Sequence, residues 1–142
     1  MIWYDLEIVN RDEMNYKNEM NRSDSNSGFD LYSSSNVKVE QTPQCIPFGM
    51  VARLIKVEPM LKTNDYIKTD SHFWLVPKES IYNTGLIMAN SMGVIDKSYR
   101  DELKATVWSL TANSVIKRND CLFQIVAPDM GWIRNVYLVD SM

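Results

Sequence analysis

Residues 77–110 read PKESIYNTGLIMANSMGVIDKSYRDELKATVWSL, and this stretch decides the fold. Its central part, residues 93–99 (GVIDKSY), predicts a strand, a turn and a second strand, because Val and Ile fill a core whereas Asp and Ser initiate turns. The runs on either side, residues 85–90 and 101–110, are typical of further short strands. The stretch therefore predicts closely spaced β-structure.

The rest of the chain continues this pattern of short strands separated by turn residues. Further strands are predicted at residues 1–10, 29–33, 44–57 (one or two strands), 71–77, 122–127 and 132–140. No segment shows a long helical period. The chain of 142 residues is thus expected to form one all-β domain, a barrel or a sandwich, in which residues 11–27 make a polar loop or a short irregular helix.

Composition and charge narrow the function classes. The hydrophobic share of 45% is enough for a real core, and the formal charge of −3 with scattered Lys and Arg argues against a nucleic-acid partner, which needs a basic face. No apolar run approaches the roughly 18 residues that span a bilayer, so no membrane partner is expected. Two cysteines, Cys45 and Cys121, without a signal peptide favour an intracellular, reducing compartment, and the single histidine, His72, argues against zinc.

Four segments, taken in order, resemble the motifs of the trimeric dUTPases, especially those of large DNA viruses. Residues 27–33 (SGFDLYS) are similar to the first motif, residues from 77 onward to the second and third, and residues 119–126 (NDCLFQIV) to the fourth. The resemblance implies a jelly-roll-like β-barrel that forms a homotrimer with three active sites between subunits. It also implies cleavage of dUTP to dUMP and pyrophosphate, with Mg²⁺ held mainly by the triphosphate.

The third motif carries the nucleoside end of the site in this family. The resemblance implies that Asp96 activates the water that attacks the α-phosphate, a task that suits a carboxylate because it accepts a proton. It implies that the ring of Tyr99 packs under the deoxyribose and excludes a 2′-hydroxyl. Asn90, with the hairpin backbone at Gly93 and Ile95, would bind the uracil edge. The same hairpin is also structural, so its presence does not by itself prove activity.

Asp30 and Gln124 each allow two interpretations. The resemblance makes Asp30 a residue that orients a magnesium-bound water, in keeping with the waters that Mg²⁺ retains on nucleotides. The alternative is a polar turn residue at the start of a strand. Gln124 would bind phosphate or the catalytic water, whereas the alternative is an edge-strand glutamine that faces solvent.

The second motif departs most from the family, in which it reads Pro-Arg-Ser-Ser. Lys78 replaces the arginine and supplies a point charge without the planar fork, and Ser80 keeps a hydroxyl for the phosphates. Glu79 would bring a carboxylate toward the phosphates, where Coulomb repulsion costs on the order of 4 kcal/mol at 4 Å. The phosphate end of the site is therefore predicted to be damaged.

Three further departures point the same way. Cys121 replaces the arginine of the fourth motif, and Asp101 replaces a glycine after Tyr-Arg, a poor exchange if that position needs a positive φ or a close backbone approach. The Gly-rich fifth motif is expected to be missing, since the printed sequence ends at Met142.

Two functions follow from these residues. The favoured hypothesis is a non-catalytic, trimeric structural or assembly component, such as a minor capsid protein of a large DNA virus, with other viral structural proteins as partners and the virion or host cytoplasm as its location. Residues 132–138 would pack on a neighbouring subunit. The alternative is an active dUTPase that binds dUTP with Mg²⁺. If the protein is inactive, the damage should lie at the phosphate end, and deoxyuridine or dUMP should still bind weakly.

Overall fold

The computed structural model describes residues 1–111 and 113–142, which form thirteen strands and one short 3₁₀ helix. The strands in chain order are β1 (Trp3–Asn10), β2 (Gly28–Leu31), β3 (Val37–Val39), β4 (Gln44–Pro47), β5 (Met50–Pro59), β6 (Tyr66–Ser71), β7 (Phe73–Pro77), β8 (Leu86–Met88), β9 (Gly93–Ile95), β10 (Lys104–Ser109), β11 (Ser114–Ile116), β12 (Phe123–Val126) and β13 (Ile133–Leu138). The 3₁₀ helix covers Glu79–Asn83. The all-β prediction is confirmed, and none of the helical structure in these ranges is long and apolar enough to cross a membrane.

Two four-stranded sheets make up most of the molecule. One has the order β13-β1-β5-β6, in which β1 runs parallel to β13 and antiparallel to β5. The other has the order β2-β12-β7-β9 and is antiparallel throughout. Two smaller sheets, β4-β10-β8 and β11-β3, complete the fold. These sheets enclose one hydrophobic core, as expected for a jelly-roll-like barrel.

The central strand β1 contributes fully buried side chains to the core. Leu6 of β1 lies opposite Leu54 of β5 and Val136 of β13, and all three side chains are fully buried. Phe48 and Phe123 pack against each other deeper in the core, with ring centroids 5.7 Å apart. Burying apolar side chains of this size contributes about 1.5–3 kcal/mol each.

The sheet β2-β12-β7-β9 positions the candidate site. In β2 the buried Phe29 and Leu31 alternate with the half-exposed Gly28 and Asp30. The period of two places Asp30 on the outer face. In β12, Gln124 likewise lies between two buried residues, so it shares that outer face with Asp30.

Three strands were not predicted, and one predicted strand does not form. The missed strands β3 and β11 have only three residues each. The missed strand β6 is exposed along nearly its whole length, so it carries no apolar alternation. After β9 the chain turns at Asp96 and makes no further strand before Lys104, so the second strand of the predicted hairpin is absent from the described residues 96–103. A strand signal needs apolar alternation over several residues, and β3 and β11 are too short to show it while β6 is too exposed.

Residues 11–27 contain no named strand or helix, but they are fastened to the barrel. Met14 and Tyr16 are buried, and the backbone of Glu19 exchanges two hydrogen bonds of 2.9 and 2.8 Å with Val136 of β13. These bonds cover the edge of β13 that faces away from β1. Both edges of β13 are thus occupied by the chain's own residues, so a neighbouring subunit would contact this strand through its faces.

Candidate functional site

A polar cavity of about 480 Å³ opens where β2, β12, the end of β7 and residues 15–28 meet. Three residues singled out from the sequence line it together, namely Asp30, Lys78 and Gln124. Asp30 and Gln124 lie on adjacent strands and Lys78 directly follows β7, the third strand of the same sheet, which explains why positions far apart in sequence converge here.

Asp30 and Gln124 are direct cross-strand neighbours. Gly28 is what allows the glutamine side chain to lie where it does, since a Cβ on this glycine would stand 1.9 Å from Gln124 Oε1. Gly28 of the first motif therefore leaves the space that the side chain of Gln124 in the fourth motif occupies. The amide of Gln124 therefore lies over Gly28, and both residues line the cavity.

Lys78 forms an ion pair with Asp30 at the centre of this cavity. Its Nζ donates to Asp30 Oδ1 over 2.5 Å, and its backbone N–H donates to the carbonyl of Leu122 over 2.8 Å. The hydrogen bond to Asp30 raises the pKa of Lys78, so the ammonium stays charged. Each group is the other's nearest counterion, and their charges cancel at the place where phosphates were expected.

Cys121 lies beside this pair, where the resemblance led us to expect an arginine. Burial, and then the Asp30 carboxylate, raise the pKa of its thiol to about 11. The thiol is therefore neutral at pH 7. Asp30, Lys78 and the neighbouring Cys121 together carry no net charge.

The raised pKa of Cys121 predicts that its thiol reacts slowly with disulfide reagents. A shift from 9.0 to about 11 lowers the thiolate fraction by about a hundredfold at pH 8, and the greater nucleophilicity of the more basic thiolate recovers part of this. In a Cys45→Ser variant, Cys121 should react about tenfold more slowly with an aromatic disulfide reagent in the folded protein than in urea. The rate should keep rising with pH toward 11. Equal rates in the folded and unfolded protein would contradict the assigned environment.

The nucleoside end predicted from the third motif lies elsewhere on the same sheet. Its turn is tight, with Ser91 at φ +64° and the Met92 N–H donating to the carbonyl of Asn90 over 2.6 Å. Gly93 is buried opposite Leu75, where an added Cβ would lie 3.2 Å from the Leu75 carbonyl oxygen. The half-exposed Ile95 pairs with Phe73. The sheet thus fixes the backbone of β9 at Gly93 and Ile95.

Asp96 and Tyr99 close the turn that follows β9. The Asp96 side chain is 74% exposed, with Oδ1 3.8 Å from Nδ1 of His72. That same Nδ1 accepts a hydrogen bond from the Lys97 N–H over 3.0 Å. The half-buried ring of Tyr99 packs against the core, and its hydroxyl donates to the Glu102 carbonyl over 3.1 Å. Asp96 is therefore the solvent-facing member of this turn, and Tyr99 anchors it.

The two ends do not meet within one chain. Asp96 lies at the His72 end of β7, whereas Gln124 is opposite Val76 near the other end. Three strand spacings and a rise of four residues place Asp96 and Asp30 on the order of 20 Å apart. A site that uses both carboxylates would need a second copy of the chain.

Two residues of the second motif do not line the cavity. Glu79 and Ser80 are exposed at the start of the 3₁₀ helix, outside the cavity that holds Lys78. The expected repulsion between Glu79 and phosphates is therefore not built into this cavity within one chain. The feature that weakens this cavity for phosphate is instead the ion pair between Lys78 and Asp30.

The glycine replacements behave differently from each other. Asp101 does not have a positive φ, so conformational strain gives no reason for damage at that position. Asn119, in the segment that resembles the fourth motif, stands at φ +73°, and asparagine is among the residues that tolerate this conformation. The turn before β12 is thereby preserved.

The sequence interpretation missed the other wall of the cavity. Residues 15–28 contribute Lys17 and Arg22, and neither was considered a site residue. A signal was present, since the buried Met14 and Tyr16 alternate with exposed neighbours in an otherwise polar stretch. Such alternation is typical of a segment that lies on a core.

The residues present do not fit a resident divalent cation. Within the described ranges, no three His, Cys, Asp or Glu side chains converge as a metal site. Asp30, the carboxylate expected to orient a magnesium-bound water, is already paired with Lys78. Mg²⁺ would have to arrive with a nucleotide and displace that lysine.

Comparison with known protein families agrees with the resemblance of the motif segments. A family model described as dUTPase matches residues 15–139, which is most of the chain. No curated protein matches the chain significantly.

Proposed function

The chain belongs to the dUTPase family, and we propose that it is a non-catalytic member that works as a trimeric structural or assembly component. Members of this family typically form homotrimers, bind dUTP and depend on Mg²⁺. The observation that carries the proposal is the ion pair between Lys78 and Asp30.

This pair weakens the site for a triphosphate in two ways. The lysine ammonium must leave a carboxylate before it can bind phosphate, and the carboxylate must leave the lysine before it can orient a magnesium-bound water. Cys121 adds no charge where an arginine would add one and would donate two parallel hydrogen bonds. A triphosphate, with several negative charges, therefore meets a locally neutral surface.

Two observations support the trimer. The separation of Asp96 from Asp30 within one chain calls for a neighbour if the family arrangement holds. Exposed apolar side chains also lie on adjacent strands, with Ile87 opposite Trp108 and Val94 opposite Trp74. Ile87 is 40% and Val94 65% exposed. An interface that covers them would gain hydrophobic stabilisation.

The resemblance of residues 77–110 to dUTPases of large DNA viruses supports placing this component in a virus particle. We propose a minor capsid role, with other structural proteins of the particle as partners. Its location would be the virion, or the host cytoplasm during assembly.

The alternative is an active dUTPase, and one observation favours it. Asp30 and Gln124 share one wall of a cavity that is wide enough for phosphates, and Asp96 remains exposed to accept a proton from an attacking water. In that case the nucleotide with Mg²⁺ would have to separate Lys78 from Asp30.

A direct test is the release of pyrophosphate from dUTP with Mg²⁺ by the purified protein. We expect no release above background, and calorimetry should give affinities for dUMP and dUTP within about tenfold of each other, because the charge of Lys78 is already matched by Asp30. Tight, magnesium-dependent dUTP binding with turnover of about 1 per second or more would show that the alternative is correct.

The double variant Lys78→Arg, Glu79→Ser tests the reason for the loss. An arginine has five donors, so one edge can hold Asp30 while the other binds phosphate. The variant should bind dUTP several-fold more tightly than the unmodified protein and leave dUMP binding nearly unchanged. Lys62→Arg, in the exposed loop between β5 and β6, is the matched control and should change neither affinity.

A further inference from the structure

We propose that residues 15–27 form a fixed wall of the cavity, and that Lys17 on this wall binds one phosphate group, either free or on a nucleoside monophosphate. The inference rests on the proposed function, since it concerns the same cavity, and it specifies which anion the cavity takes. Three observations support this proposal. The wall is fixed by hydrogen bonds to the barrel, Lys17 has no carboxylate partner among the described residues, and neutral hydrogen-bond donors line the same cavity.

The wall is held in place on both sides of Lys17. The buried hydroxyl of Tyr16 donates to the Phe48 carbonyl over 3.0 Å. Asn18 Oδ1 accepts a hydrogen bond from the Leu138 N–H over 2.7 Å, and Glu19 pairs with Val136 through its backbone. Because the segment is already ordered, binding at Lys17 avoids much of the entropy cost of fixing a loop.

The charges that line the cavity leave one cation over. Arg22 lies 3.7 Å from Glu19 and also donates to the Ile133 carbonyl over 2.8 Å, while Lys78 is bound to Asp30. These pairs use both carboxylates of the lining. Within the described part of the chain, Lys17 has no hydrogen-bond or ion-pair partner, so its ammonium is the surplus charge.

Neutral donors complete a site for a single phosphate. The lining includes the amides of Asn15, Asn26 and Gln124 and the hydroxyl of Ser27. An ammonium together with amide and hydroxyl donors is the chemistry that binds phosphate oxygens. The nearby carboxylates would repel further negative charge, which limits the anion to about one phosphate group. This agrees with the small gain expected for dUTP over dUMP.

The test is calorimetry of the full chain with inorganic phosphate, dUMP and deoxyuridine. We expect phosphate to bind with a Kd on the order of 1 mM, corresponding to a weak site. Lys17→Ala should weaken phosphate and dUMP binding by about tenfold, because charge-assisted hydrogen bonds are the strong ones. Lys17→Arg should retain both affinities, and deoxyuridine should respond to neither change.

The matched control is Lys62→Ala, which removes an exposed lysine far from the cavity in sequence and should leave phosphate binding unchanged. No phosphate binding at 10 times the expected Kd, or equal losses in Lys17→Ala and Lys62→Ala, would overturn the inference. Both variants should keep the melting temperature, since both side chains are exposed.

The outcome is separable from the proposed function. Turnover of dUTP by the unmodified protein would reject the non-catalytic role while leaving the effect of Lys17→Ala on inorganic phosphate intact. Absence of turnover together with unchanged phosphate binding in Lys17→Ala would reject only the role of Lys17.

Discussion

Replacing Leu6 with alanine should lower the free energy of unfolding by about 2–5 kcal/mol. Leu6 is fully buried in β1, between Leu54 and Val136 of the two flanking strands. The substitution removes three carbon atoms from a place where neighbours on both sides are fixed by sheet hydrogen bonds, so the cavity collapses only in part. Urea denaturation followed by tryptophan fluorescence measures the change.

Leu61→Ala is the matched control for this experiment. Leu61 lies in the loop between β5 and β6 with a relative exposure of 102%, so the same chemical change there should cost less than about 0.5 kcal/mol. Because typical domains are stable by only about 5–15 kcal/mol, Leu6→Ala should leave a visibly weakened protein. Similar losses for the two variants would show that β1 does not lie at the centre of the core.

The second large effect is expected from Tyr16→Phe, which should destabilise the protein by about 1–3 kcal/mol. The Tyr16 hydroxyl donates to the Phe48 carbonyl and accepts from the Tyr32 N–H, each over 3.0 Å. Burial raises the pKa of Tyr16, so this hydroxyl stays protonated as a donor. Phenylalanine keeps the ring contact with Phe29 but leaves two backbone groups without their partner.

Two measurements separate this effect from a general loss of packing. Chemical denaturation gives the stability, and hydrogen exchange should show faster opening of residues 14–22, because Tyr16 fastens this segment to the barrel. Tyr82→Phe removes a hydroxyl from a side chain that is 72% exposed, and it should change neither quantity. Unchanged exchange at residues 14–22 in Tyr16→Phe would mean that the backbone pairing of Glu19 with Val136 holds the wall without the hydroxyl.

The hydroxyl of Tyr16 also links stability to the proposed site. Lys17 follows it directly, and the cavity depends on this segment for one wall. Loosening the segment should therefore weaken phosphate binding even when Lys17 is unchanged. Tyr16 therefore serves both the stability of the fold and the position of the phosphate-binding wall.

The sequence by itself determined the fold class and the family. Short apolar runs between turn residues predict β-strands wherever one face is buried, and β1, β12 and β13 formed where they were expected. The residues at 77–110 and the two other motif segments, 27–33 and 119–126, identified the family that the match over residues 15–139 shows. These are local patterns, and local patterns are what a single chain displays along its length.

The sequence could not predict the strands that are very short or exposed, or which partners the charged residues have. β6 is exposed along its length, and β3 and β11 are too short for a period to be visible. The second strand predicted after Asp96 does not form in the described structure, where the Tyr99 N–H instead donates to the Asp96 carbonyl and closes a turn. Burial and pairing partners are set by the whole fold, so the same letters give a strand in one place and a coil in another.

Only the tertiary structure decided the state of the candidate site. Lys78 and Asp30 are 48 positions apart in sequence, and their contact follows from the register in which β2 and β7 flank β12. The wall at residues 15–27 depends likewise on pairing between Glu19 and Val136. A motif specifies which groups are available, whereas sheet register decides which groups meet, because each one-residue shift along a strand exchanges its two faces. For this protein, that register turned a lysine expected to bind phosphate into the partner of an aspartate.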